Sequence, residues 1–201
     1  MKNCKSFRSV ILIGALAIAA GLPYTATARG AQNEELKKMT GEVVNTIANL
    51  PDYTAYDWLT FSIADGVVTL SGFSTTTRLR SNAPDAVKKV EGVKEVKSEI
   101  EYTRGPKSDE QLRRGIYKAI YVTYLQSYGK EAMYFAAGAQ TALPRGPHPI
   151  HILVLKGDVT LRGYVHSEED KEEATKAVNN SVGGMVKSLK NELVVKPKQS
   201  E

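Results

Sequence analysis

The three histidines of the chain, His148, His151 and His166, are the residues most able to do chemistry. His148 and His151 bracket the start of a strongly β-branched run, and His166 follows the run after it. On adjacent antiparallel strands the three imidazoles could approach one another as a zinc ligand set. No H-E-x-x-H spacing supports this, and the single cysteine, Cys4, lies far away at the N-terminus. The plainer reading is of strand-end residues satisfied by backbone or solvent. Ser71 and Ser181 stand near glycines, yet neither makes the G-x-S-x-G pattern of a nucleophile elbow. "GVKEVKSE" lacks phosphate-loop spacing. Glu168, Glu169, Asp170, Glu172 and Glu173 crowd a helix start, where the helix dipole favours negative charge without any acid–base role. No catalytic constellation, metal site or cofactor is expected.

The remaining chemically distinctive set is aromatic. Over 109–128, Leu112, Ile116, Ala119 and Ile120 recur on one helical arc. Tyr117, Tyr121, Tyr124 and Tyr128 form a second arc beside it, with Arg114, Lys118 and Lys130 around it. A tyrosine ring is apolar and its hydroxyl is wet, which suits a membrane interface or a protein contact. These seven residues are the candidate binding set. The competing reading is that the tyrosines pack inward, against the segment 129–149 or the first half of the chain.

The elements that position these residues come from a duplication. Residues 66–72 read GVVTLSG and residues 157–163 read GDVTLRG. Before the first, Leu59, Phe61 and Ile63 alternate with polar or outward residues, and Asp65-Gly66 supplies a tight-turn pair. Before the second, Ile150 to Leu155 leads to Lys156-Gly157. An amphipathic helix follows each hairpin, carried by Leu79, Ala83 and Val87 in one half and by Ala174, Ala177 and Val178 in the other. Pro84 interrupts the first of these helices or marks its first turn. Ser167 with Asp170 reads as a capping box, as does Ser108 with Gln111. Each half closes on an alternating segment: Val96, Ile100 and Tyr102, then Leu189, Leu193 and Val195. A helix also precedes each hairpin, carried by Leu36, Met39, Val43, Ile47 and Leu50 in the first half. Each unit is therefore helix, strand, strand, helix, strand, an α+β arrangement. The expected bounds are 33–104 and 105–196, joined through "TRGPKSDE" and followed by a tail, 197–201. A long inserted segment, 126–149, precedes the second hairpin, where the first unit has only Pro51 to Ala55.

"GVVTLSG", a helix and "VEGVKEVKSEI" resemble the BON domain of bacterial osmotically inducible and related envelope proteins, and "HPIHILVLKGDVTLRGYVHSEEDKEEA" resembles it more closely. The resemblance implies two tandem BON-like units, each a small mixed sheet packed on two helices. It also implies a role in binding phospholipid or envelope partners.

Compartment and charge fit such a role. Lys2, Lys5 and Arg8 precede an uncharged run, Val10 to Leu22, and "ATA" at 26–28 is a small-x-small cleavage pattern. The run is shorter than the about 20 residues a membrane span needs, so it reads as a signal peptide, residues 1–28, directing the chain to the periplasm. The whole chain holds 27 Lys and Arg against 22 Asp and Glu. Loss of the three signal cations leaves a nearly balanced mature chain, unlike a nucleic-acid binder. The expected function is a non-catalytic module on phospholipid membrane surfaces, supporting envelope integrity or stress tolerance. The alternative is an adaptor or chaperone-like stress protein that binds an envelope protein.

Overall fold

A computed structural model describes residues 26–103, 105–124 and 148–196. The first unit begins with α1 (Ala26–Ala48), followed by β1 (Trp58–Ala64), β2 (Val67–Ser74), α2 (Thr77–Val87) and β3 (Glu95–Tyr102). β1 and β2 are antiparallel and β3 runs parallel to β2, giving a mixed sheet ordered β1-β2-β3. The second unit repeats this with α3 (Lys107–Tyr117), β4 (Ile150–Leu155), β5 (Asp158–Val165), α4 (Glu168–Val182), β6 (Ser188–Asn191) and β7 (Val194–Val195). β4 is antiparallel to β5, and β6 and β7 both pair parallel with it.

The two hairpins close in the same way. Asp65 and Gly66 take φ of 53° and 81°, and Lys156 and Gly157 take 54° and 88°. Two consecutive left-handed residues match the twist of the strands they join. Lys156 tolerates this conformation with outside support. The carboxylate of Asp109 on α3, 1% exposed, accepts from the Lys156 and Gly157 backbone N–H groups at 2.6 and 3.0 Å. After each turn the final connection returns to the turn glycine: Lys94 N–H donates to Gly66 O at 2.8 Å, and Lys187 N–H to Gly157 O at 2.9 Å.

Each unit has its own core. Val43, Ile47, Leu70, Leu79, Val87 and Ile100 are central to the first, and Ile116, Ile120, Ile152, Leu161, Val178 and Leu193 to the second. Thr76 caps α2, accepting from Leu79 N–H at 3.1 Å, and the helix continues through Pro84, which lies in its interior rather than its first turn. Ser167 caps α4 as expected, accepting from Asp170 N–H at 3.1 Å.

Three expectations are corrected. Leu36 is 45% exposed, because α1 begins before the sheet it covers and core contact starts at Met39. Ser108 does not cap α3. The helix starts two residues earlier than a Ser108 cap requires, at Lys107 after Pro106, with no side-chain cap, and Asp109 reaches the hairpin turn instead. The expected continuous helix through 128 changes at Lys118 into a π-helical stretch, Lys118–Tyr124. Such a widened turn rotates the side chains beyond it away from simple helical spacing.

Candidate functional site

The aromatic residues gather where the two units meet. The turn between α1 and β1 crosses into the second unit, so that Ala55 and Tyr56 belong to the second core. Ala55 O accepts the N–H of Ile152 at 2.7 Å, continuing the second sheet beyond β4. The turn is pinned by buried Asp57. Its carboxylate accepts from Thr54 N–H and hydroxyl at 3.0 and 2.6 Å, and from Thr75 N–H and hydroxyl at 2.7 and 2.9 Å. Burial pushes this carboxyl upward from the usual aspartate range, and the Thr54 and Thr75 donors oppose that rise. Arg113 on α3 fastens the other side. It is 6% exposed and donates to the carbonyls of Thr103, at 3.3 Å, and Val154, at 2.5 Å.

A file of rings runs through the junction. Tyr56 meets Tyr117 edge-on at 6.1 Å, Tyr117 stacks on Tyr121 at 4.7 Å, and Tyr121 meets His148 edge-on at 5.4 Å. His151 lies between Tyr53, at 5.4 Å, and Trp58, at 5.1 Å. Desolvation, followed by the neighbouring His148, lowers the His151 pKa to about 4. Desolvation likewise raises Tyr53 and Tyr56 to about 12 and holds Tyr117 and Tyr121 above the usual phenol range. At neutral pH His151 and these four tyrosines are uncharged packing groups.

This placement takes Tyr121 out of the expected binding face. Tyr121 is 2% exposed; its hydroxyl donates to Ile150 O and accepts from Ile150 N–H at 2.9 Å. Tyr117 packs against the same core. The Tyr53–Asp57 turn and the start of β4 close over Tyr121, whose ring is not open to an external ligand, whereas Tyr117 is half-buried. Arg114 and Lys118 are exposed, and Arg114 is paired with Glu110 at 2.6 Å. Tyr128 and Lys130 lie outside the described residues, as does the side chain of Tyr124.

His148 and His151 stand at the junction with ring centroids 6.5 Å apart, while His166, just past the end of β5, lies beside Tyr164 with its Nδ1 3.1 Å from Lys196 O. Among the described residues no three His, Cys, Asp or Glu side chains are placed to hold a metal ion. A different surface, missed by sequence reasoning, occupies that end. Tyr164 and Val194 pair across β5 and β7, are 40% and 57% exposed, and the Lys196 ammonium stands 5.3 Å from the Tyr164 ring centroid. Its signal was present in the alternation of β5, which puts Arg162 and Tyr164 on the face opposite Leu161.

The model of the BON domain family matches the chain twice, at 33–104 and 137–197. The chain belongs to the BON domain family and carries its domain in tandem. That family is associated with binding at membranes and the cell envelope, its members are in general non-catalytic, and they are typically envelope or periplasmic proteins. No curated protein matches closely enough to count as a relative. Among solved structures, the chain is similar to CdsD, a structural protein of the type III secretion system of Chlamydia trachomatis. That match has 10% identity and a TM-score of 0.30, covering 80% of this chain and 93% of that one. A C-terminal domain of CdsD matches with 14% identity and a TM-score of 0.27, covering 78% of this chain and 65% of that one. No helix among the described residues is long and apolar enough to cross a membrane.

Proposed function

We propose that the protein is a periplasmic, non-catalytic module, released by cleavage after Ala28, that associates with phospholipid surfaces and supports envelope integrity under stress. The observation that carries this reading is the double BON match, since the family is associated with membranes and the envelope. Two exposed surfaces are compatible with it. Arg114 on α3 and Lys118 at the start of the π-helical stretch remain exposed cations, and Tyr164, Val194 and Lys196 combine apolar area with positive charge. Such a combination suits the polar–apolar boundary of a bilayer.

Flotation of the chain from Arg29 to Glu201 with liposomes, with and without anionic lipid, tests the reading. Co-flotation is expected, strengthened by anionic lipid and weakened by Lys118→Glu or Lys196→Glu. A protein that stays at the bottom of the gradient with both vesicle types sinks the proposal. If it is instead crosslinked in cells to one reproducible envelope polypeptide, the adaptor reading replaces it. Osmotic-shock fractions should contain a chain beginning Arg29-Gly30-Ala31. An intact Met1 terminus in the membrane pellet would make the N-terminal segment an anchor.

A further inference from the structure

His151 is an ionisable side chain closed in between the two units. It belongs to β4 of the second unit and is 5% exposed, yet Tyr53 and Trp58, the rings on either side of it, come from the first. Among the described residues its Nδ1 has no hydrogen-bond partner. One residue further along β4, the Ile152 N–H donates to Ala55 O and ties the first unit's turn to the second sheet. A proton on His151 would therefore put a charge, with little water, at the seam between the units.

The groups around His151 act on that charge from every side. Arg162 on β5 is its register partner and shares its face of the sheet, so it brings a like charge. Arg162 has its guanidinium carbon 5.9 Å from the Phe73 ring centroid of the first unit and is ion-paired with Glu192 at 2.7 Å, but Lys190 pairs with the same carboxylate. His148, 6.5 Å away, would repel as a second imidazolium. Tyr53 is uncharged at neutral and acid pH, as are Tyr117 and Tyr121 beyond His148. Arg113 on α3 is a further buried cation at the junction, held by Thr103 O and Val154 O. Asp57 is the acid of the turn. Its donors, on Thr54 and Thr75, all belong to the first unit, so it fastens the turn there and not to β4. Its raised carboxyl pKa favours the closed junction toward acid, against His151, so the direction of the response tells the two apart.

We propose that this contact is an acid-sensitive catch, closed at neutral pH and released when His151 takes up a proton, so that the Tyr53–Asp57 turn leaves β4 while both sheets stay folded. Separation returns the imidazolium to water and away from Arg162. Desolvation is the largest influence on the ring; backbone groups of Asp57, Thr54 and His148 favour the proton but do not outweigh it, and the pKa falls from 6.5 to about 4 in the closed form. An open form in which His151 regains its ordinary value gains on the closed one as pH falls. The ratio of open to closed chain should rise about 100-fold between about pH 7 and about pH 4.

Amide exchange of the chain from Arg29 to Glu201 tests the catch. The Ile152 amide, whose acceptor is Ala55 O, should lose about 100-fold in protection factor over that pH range, while the central amides of β2 and β5 keep theirs. His151→Phe, uncharged throughout, should abolish the loss. The unmodified chain supplies a second reading that does not depend on how the variant packs. Followed by NMR, the His151 ring should gain its proton over the same pH range in which Ile152 loses protection. Ile152 protection that stays constant or rises toward acid overturns the proposal. So does a loss shared equally by β2 and β5, a loss that persists in His151→Phe, or a His151 ring that titrates outside that range.

Discussion

Trp58 and Pro149 play matching parts in the two units. Each turns its carbonyl oxygen to 2.0 Å from where a β-carbon on Gly72 or Gly163 would stand, and both glycines have φ near 120°, at 121° and 118°. An added methyl group therefore meets backbone that cannot step aside, in a conformation only glycine adopts readily. Gly72→Ala and Gly163→Ala should each destabilise the protein by about 3 kcal/mol, read from denaturant midpoints. Equal stability in either variant would mean that the carbonyl yields. Tyr121→Phe removes both hydrogen bonds to Ile150 while keeping the ring. Loss of about 1–3 kcal/mol is expected, with little change in liposome flotation. Unchanged stability together with lost flotation would return Tyr121 to the binding surface.

His151 supplies a pH-dependent prediction at the same scale. Its folded pKa is about 4, below the ordinary value of 6.5, so the unfolded chain takes up the proton first as pH falls. Its contribution is thus complete above about pH 6.5 and is lost progressively down to about pH 4, by roughly 3 kcal/mol at most. Asp57 works in the opposite sense, because a raised carboxyl pKa means that the native state holds its proton longer. His151→Gln should flatten the acid limb of the stability curve between those pH values. An unaltered limb would place the proton uptake elsewhere.

Among the elements, those built from local signals were legible in the sequence. The hairpins show because strand alternation and left-handed turn pairs are adjacent in the chain, and Ser167 shows because a cap reaches only to the next turn. The Tyr53–Asp57 turn was not legible. It looked like a short connection, and its partner Ile152 belongs to the other unit, so no periodicity reveals the pairing. The same gap explains the tyrosine stripe: helical spacing located Tyr117 and Tyr121 on one arc but could not say that this turn covers Tyr121. Asp109 was read as part of a linker because its role lies at a hairpin far along the chain. Tyr56→Ala tests the element directly. Tyr56 is 6% exposed within the second core, so truncation should cost about 3 kcal/mol. It should also speed amide exchange in β4 although the substitution lies in the first unit. Faster exchange confined to β1–β3 would show that the turn serves only its own unit.

For the whole molecule, the insertion of Ala55 and Tyr56 into the second core predicts one cooperative transition rather than two. Trp58 is the only tryptophan and rests on His151 at the junction, so its fluorescence reports on the contact between the units. Melting followed by that fluorescence and by far-ultraviolet circular dichroism should coincide. Separated transitions would mean that the junction opens before either sheet melts.

The hydrogen bond from Ile152 to Ala55 also bears on how portable each half is. Cutting the chain at the Gly-Pro joint near residue 105 follows the duplication, yet it removes from the downstream half a strip of polypeptide that closes its sheet. Such a fragment would bare an uncharged strand and the hollow left by Tyr56, conditions that favour clumping. A synthetic peptide spanning residues 51–58, added in solution, should occupy that gap and keep the fragment dispersed. The boundary at which the copies diverged in sequence is therefore not the boundary at which they can be parted.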